Sequence, residues 1–415
     1  MRKLLLAVLL FQAVQAFGQT VGAEIASGPI PFTNVASYLP TPAVSLAKDR
    51  TGLAIAWLMP GADADRISVV RLDATGHFTG QVQTIPIASP EAVYVVSPSI
   101  AAVPHGDGFT LAWLEIVSAS PPVTRAVYCR LDRDLKPSAP VVLLAIQKAI
   151  SAPAIVRSGK TTWISAGASA WELRDDGSAG EPLNSGVNAS DMTVATDFPQ
   201  IVGRDQIAPT TFTCDKLPGC SPAAAGPFRG FCSEACRNFL NTYLLRFTSL
   251  YSVSASKTIP FDTDAAPAIR GDGRDVVIAW FQGSHASGGS VVISRLLPPS
   301  FTDFQTSTNE SRVIGTFGPD AGATRPDIAS DAERYVVVWR TAKGDATHDV
   351  VGASIDRAGN IVPLAIATST ADERDPSVIS MGDGTFLVAY EKLSDGQRQI
   401  AGRFVTFGSR TRAVR

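Results

Sequence analysis

The stretch Pro326-Asp327-Ile328-Ala329, followed after an Asp-led turn at 331–334 by Tyr335-Val336-Val337-Val338-Trp339, decides how this chain folds. Each apolar run is too short for a helix and is bounded by turn residues, so the pair reads as two strands of a hairpin. Proline at the head of the first strand suits a strand start or an edge, where no ladder donor is required. It also biases the residue before it toward extended geometry, as a chain entering a strand needs.

Working outward, the same pattern of a Pro followed two residues later by Ile or Val is anchored at Pro42, Pro98, Pro153, Pro199, Pro267, Pro326 and Pro376. The spacings are 56, 55, 46, 68, 59 and 50 residues. These exceed a minimal four-stranded repeat of roughly 40 to 45 residues and leave room for variable loops. An aromatic closes the second strand of each copy: Trp57, Trp113, Trp163, Trp280, Trp339 and Tyr390, with Phe212 as the weak counterpart in the fourth. Five of the six Trp residues thus share one slot, which predicts rings buried against a neighbouring sheet rather than carbohydrate-stacking platforms.

Third strands follow at 67–72 and 126–131, each running into an Asp. The turns 73–76 and 356–359 carry Asp and Gly, and a fourth strand is read at 361–365. Four antiparallel strands per copy and seven copies predict an all-β, seven-bladed β-propeller over residues 42–407. The last copy ends after its third strand, 399–407, so residues 28–33 of the segment 17–41 are expected to supply the missing strand and close the ring. Residues 408–415 form a tail.

The first 16 residues have the form of a cleaved signal peptide: Arg2 and Lys3, an apolar run at 4–11, then small residues at 13–16. That predicts a secreted or periplasmic protein with no membrane span, since no later segment approaches the ~20 apolar residues a span requires. Losing Arg2 and Lys3 takes the net charge from −2 to about −4. A weakly acidic balance with mixed signs lacks the clustered cations of a nucleic-acid surface.

The Pro-x-Ile-Ala and Val-Val-Trp elements resemble the loosely related secreted bacterial repeats of the β-propeller superfamily, over nearly the whole mature chain. The resemblance implies an architecture and no activity, because propellers host enzymes, lectins and interaction scaffolds alike. Ser380-Met381-Gly382-Asp383-Gly384-Thr385-Phe386 is similar to a sialidase Asp box but is off by one residue and falls between first and second strands, which makes it an Asp-Gly turn. Arg270, Arg325 and Arg374 near first-strand ends are candidates for an arginine cluster, with solvated loop arginines as the simpler reading. His77, His105, His285 and His348 are all expected in turns or loops, with no metal-ligand spacing. No nucleophile elbow, zinc-protease helix or phosphate loop is present in the sequence. Loop acids Asp262, Asp264, Asp320 and Asp375 are candidates for a glycosidase pair or a calcium site, with turn formation as the bland alternative.

The fourth copy departs from the others. Its second strand, expected at 210–214, leads into a Cys-rich insertion at 214–240 holding Cys214, Cys220, Cys232 and Cys236, before a third strand at 241–247. In an oxidising compartment four clustered Cys predict two disulfides, with three pairings open. Structural zinc is the alternative not favoured, because Cys-x5-Cys is a poor match to zinc-ligand spacing. Cys129 is expected as a buried free thiol. A loop from second to third strand opens on the same face as the connections between copies, which is where ligands are expected.

The function read from these features is a monomeric secreted scaffold binding a protein or glycan, without cofactor and with Asp264, Arg325, Arg374 and Asp375 as ligand-face residues. The alternative is a glycan-active hydrolase or lyase. Convergent carboxylates at the mouth of that face, or a carboxylate with Arg and Tyr, would separate the two.

Overall fold

The computed structural model describes residues 19–27, 44–59, 66–92, 94–103, 106–119, 122–146, 153–158, 161–184, 189–194, 199–206, 242–249, 256–260, 267–272, 274–284, 288–296, 311–319, 325–331, 333–343 and 347–408. Two short N-terminal strands come first, β1 (Gln19–Val21) and β2 (Ile25–Ala26). Sheet 1 holds β3 (Val44–Lys48), β4 (Leu53–Met59), β5 (Arg66–Leu72) and β6 (Phe78–Ile85). Sheet 2 holds β7 (Tyr94–Ala102), β8 (Phe109–Ala119), β9 (Pro122–Leu131) and β10 (Val141–Ile146). Sheet 3 holds β11 (Ala154–Ser158), β12 (Thr161–Ala166), β13 (Ser169–Leu173) and β14 (Leu183–Asn184). Sheet 4 holds β15 (Ala189–Val194), β16 (Pro199–Gln206), β17 (Thr242–Ser249) and β18 (Ser256–Pro260). Sheet 5 holds β19 (Ala268–Gly271), β20 (Val276–Ser284), β21 (Gly288–Leu296) and β22 (Arg312–Phe317). Sheet 6 holds β23 (Asp327–Ser330), β24 (Arg334–Ala342), β25 (His348–Asp356) and β26 (Ile361–Ala367). Sheet 7 holds β27 (Asp372–Gly382), β28 (Thr385–Ser394) and β29 (Gln397–Phe407), with β1 and β2 added against β29. The chain is all-β, built of four-stranded antiparallel sheets that follow one another along the sequence.

First strands lie against first strands. β3 touches β7, β7 touches β11, and the series runs through β15, β19, β23 and β27, which in turn touches β3. A first strand has a ladder partner on one side only, so the amides of its other edge need acceptors. The preceding sheet supplies them: Ser45 Oγ accepts from Ile100 N (3.2 Å), Thr193 Oγ1 from Gly271 N (2.7 Å), and Asp327 Oδ2 from Val378 N (2.8 Å) and Ser377 Oγ (3.0 Å).

The aromatic slot has a direction. Trp57 packs with Leu387, Ala389 and Ile400 of sheet 7, Trp113 with sheet 1, Trp339 with sheet 5 and Tyr390 with sheet 6, so each ring faces the preceding sheet. Gly315 of β22 makes room for the Trp339 ring: a Cβ there would lie 2.4 Å from its Cζ2. Trp163 breaks the rule. Ile164 and Ala166 face sheet 2, and strand alternation therefore turns Trp163 the other way. Trp171 on β13 fills the place facing sheet 2 instead.

Two further expectations are corrected. The strand that joins sheet 7 from the N-terminus lies at residues 19–26, ahead of the expected 28–33, which is outside the described residues. In the fourth copy Pro199 heads the second strand and β15 is the first, so the repeat begins about ten residues earlier than its anchor suggests. Phe212 and the four Cys of the insertion lie outside the described residues. The connection that carries them, 207–241, joins β16 to β17, a second strand to a third. The turn at 382–385 is the expected Asp-Gly reversal, with Asp383 and Gly384 at φ 51° and 76°.

Candidate functional site

Among the described residues buried charge gathers at two junctions: Asp272, Asp275, Arg295 and Arg357 tie sheets 5 and 6 at the end where first strands turn into second, and a second cluster joins sheets 6 and 7 at the end where second strands pass into third strands and sheets connect. The local cause is Pro376, which donates no amide. The ladder between β27 and β28 slips between Arg374 and Ser377, and Asp375 takes φ 49°, a left-handed conformation that a residue before proline seldom adopts. β7 slips in the same way between Val96 and Ser99, around Pro98. The residues preceding the first-strand prolines are Thr41, Ser97, Ala152, Ala266, Arg325 and Asp375, so charge at this position is confined to sheets 6 and 7.

Around the slip, β27 begins with Asp372-Glu373-Arg374, and the hairpin from β24 to β25 brings Arg340, Lys343, His348 and Asp349 alongside. Asp372 Oδ1 accepts from His348 N (3.0 Å) and from its Nδ1 (2.8 Å), while Oδ2 pairs with Arg374. Burial would raise the Asp372 carboxyl, but the bonds from His348 and Arg374 prevail and hold it down at about 2. Glu373 is fully buried and bonds Ser369 and Lys343 (3.2 Å). Lys343 also pairs with Asp349 (2.5 Å) and donates to the carbonyls of Ser369 (2.5 Å) and Ala371 (2.8 Å).

Asp375 is buried, with Arg340 Nη1 3.6 Å from its Oδ1. Here burial prevails over the attraction of Arg340, Arg374, Arg398 and His348, and the carboxyl is pushed up. The Arg340 guanidinium is pushed down by the same burial. Arg398 pairs with Glu391 and donates to Leu58 O (2.8 Å), tying this end of sheet 7 to sheet 1. Three polar atoms of the cluster are buried without a well-aligned hydrogen bond among the described residues: Arg374 Nε, Asp375 Oδ1, which faces Arg340 as an ion pair, and Asp349 Oδ1, which faces Lys343 in the same way.

Of the ligand-face candidates, the structure brings Arg374 and Asp375 together. Arg325 sits half-buried directly ahead of Pro326, at the same end of sheet 6. Asp264, with Asp262 and Asp320, lies outside the described residues. Arg270 is on the wrong half of its strand to join them: its Nε donates to Ile328 O (2.9 Å) near the turn from β19 to β20. His348 is a correction, since it opens a strand and is buried instead of lying in a loop.

No family model matches the chain. No curated protein matches it either. Among solved structures it is similar to a streptogramin B lyase at 14% identity and TM-score 0.44, covering 92% of this chain and 98% of that one. A Dyadobacter fermentans protein of unknown function gives 10% identity and TM-score 0.45, covering 94% and 100%. The phage phi92 endosialidase gives 10% identity and TM-score 0.47, covering 95% and 70%.

Elsewhere, a cavity of about 20 Å³ lies under β2 between sheets 1 and 7, lined by Ile25, Ile55, Phe78, Leu387 and Ile400. It is apolar and holds at most about one water. Among the described residues no group of three or more His, Cys, Asp or Glu could hold a metal, and no helix is long and apolar enough to cross a membrane.

Proposed function

We propose that this chain is an exported, seven-bladed propeller that binds a ligand on the end of the ring where second strands pass into third strands. The closed ring is supported by the succession of first strands returning from β27 to β3, and by Trp57 packing on sheet 7. The N-terminal strand completes the last blade, the Cys-rich segment 214–240 is closed by two disulfides on the ligand face, and the protein acts as a monomer in the periplasm or outside the cell. The observation that carries the binding reading is the charge cluster at sheets 6 and 7, where Asp375 is buried at a left-handed backbone angle with its neighbours Arg340 and Arg374. Buried charge and strained backbone are retained where they serve a site.

One observation favours a glycan-active hydrolase as a second reading. Asp372 and Asp375 are three residues apart with carboxyl groups pushed in opposite directions, the condition for a base and an acid at one pH. Against it, Asp372 is already held by His348 and Arg374. A glycan array and a glycosidase screen of the mature protein separate the two. Binding without turnover, weakened by Asp375→Asn, supports the scaffold; turnover abolished by the same change refutes it. Binding that Asp375→Asn and Arg374→Ala both leave unchanged refutes the site.

A further inference from the structure

At the end where third strands turn into fourth, arginine pins one sheet to the next. Counting three residues back from the aromatic slot, the cross-strand partner on the third strand is Arg71 in sheet 1, Arg130 in sheet 2 and Arg295 in sheet 5. Each reaches the turn of the following sheet. Arg71 Nε donates to Arg133 O (2.9 Å), Arg130 Nη1 and Nη2 donate to the carbonyls of Asp175 and Arg174 (2.6 Å each), and Arg295 Nη1 donates to Arg357 O (2.9 Å). Between sheets 6 and 7 the Arg334 guanidinium lies over the Phe407 ring, 4.2 Å from its centroid.

The seam that returns from sheet 7 to sheet 1 is built differently. Its residue at the arginine position is Phe404, paired with Leu387. Phe404 meets the turn of sheet 1 at Gly76, where a Cβ would stand 3.4 Å from its Cε2 and 2.8 Å from Ile25 Cδ1. This corner is apolar, Gly76 and Ile25 also line the cavity of about 20 Å³, and β1 and β2, three and two residues long, lie over it. Polar ties hold other corners of the same seam, from Lys48 Nζ to Met381 O (2.7 Å) and from Arg398 Nη1 to Leu58 O (2.8 Å). We propose that this seam is the built-in opening of the ring: when the N-terminal strands lift from β29, the corner at Phe404 and Gly76 parts while the other seams stay shut. Local openings start where stabilising contacts are fewest.

Two equivalent positions test this in one molecule. Cys129 of sheet 2 pairs with Leu111 and faces sheet 1, while Val70 of sheet 1 pairs with Ile55 and faces sheet 7, and both are fully buried. In Val70→Cys the introduced thiol therefore reports the seam between sheets 7 and 1, and Cys129 the seam between sheets 1 and 2. Iodoacetamide labelling of the full mature chain under native conditions, read by peptide mass, should modify position 70 at least tenfold faster than Cys129. Adding Glu24→Ala should accelerate position 70 a further tenfold or more and leave Cys129 unchanged. Equal rates at the two thiols, or acceleration of both by Glu24→Ala, overturn the proposal. Should Val70→Cys fail to fold, hydrogen exchange of the unsubstituted chain decides the matter. The amides of Gly76, Gly177 and Gly359 close equivalent turns, donating to Asp73 O (3.0 Å), Arg174 O (2.9 Å) and Asp356 O (2.9 Å), and Gly76 is the most buried of the three. A parting seam makes Gly76 exchange at least tenfold faster than the other two, and exchange at or below their rate overturns the proposal.

Discussion

Glu24 should decide whether the N-terminal strands stay on sheet 7. Between β1 and β2, its Oε2 accepts from the buried Tyr390 hydroxyl (2.8 Å), its Oε1 pairs with Lys392, and Arg403 Nη2 lies 3.6 Å away. Burial works against its charge, yet these bonds hold the carboxyl below the usual range. Glu24→Ala leaves a buried hydroxyl and a part-buried ammonium without that partner. Removing one partner of a buried hydrogen bond costs about 1–3 kcal/mol. The ion pair, 18–19% exposed at both ends, falls between a surface pair at about 0–1 kcal/mol and a buried one broken at about 3–5. About 2 kcal/mol of local stability is the expected loss, roughly a thirtyfold rise in the opening constant of the strap. Native-state hydrogen exchange reads this directly at Ile400, whose amide donates to Ser27 Oγ (3.0 Å), and at Gly22, whose amide donates to Phe404 O (2.8 Å). Glu24→Gln keeps the bond to Tyr390 and should lie between. Because the folded pKa is lowered, the contribution is present above about pH 4.5 and fades as pH falls through the folded value. Unchanged exchange at Ile400 and Gly22 in Glu24→Ala would refute the latch.

Other outcomes follow from the same contacts. Asp372, held at about 2 against an ordinary value of 3.8, contributes about 2 kcal/mol at neutral pH, fully present above about pH 4 and lost between pH 4 and 2. Urea midpoints should fall across that window in both the wild type and Asp372→Asn, because Glu24 and Asp49 are also held low, and the fall should be smaller in the variant by about that amount. Gly315→Ala pushes a methyl into the Trp339 ring and should lower stability by about 1–3 kcal/mol, seen in Tm and in tryptophan emission. The Cys129 thiol, buried and pushed up to about 12, should be silent to Ellman reagent in the native protein and react once guanidinium unfolds it.

The repeat was legible because the same requirement recurs in every copy: a proline that frees one edge, a short apolar strand, and an aromatic that fills the gap to the neighbour. It misled where a substitute satisfied the requirement. Trp163 and Trp171 exchange roles in sheet 3, and a one-residue change of phase moves a ring to the opposite face with no change in composition. In the fourth copy, Pro199 answers to the pattern from a second strand.

The candidate site was half legible. Arg374 stood out as an arginine near a first-strand end and Asp375 as a loop acid. Asp372, Glu373 and His348 were hidden in runs that look solvated, 344–349 and 372–375, since a dense mix of charges ordinarily reads as loop. Mutual neutralisation is what permits their burial, and pairing between Lys343 and Glu373, 30 residues apart, leaves no mark on local composition.

Trp57 faces Leu387, Ala389 and Ile400, about 330 residues further along the chain. During synthesis, the first sheet therefore emerges with Trp57 stacked on Phe78 of its own sheet and with its other neighbours, Leu387, Ala389 and Ile400, still to be made. The N-terminal sheet is thus the last to become watertight, and the long interval before residue 400 appears is when a holding chaperone has most to bind.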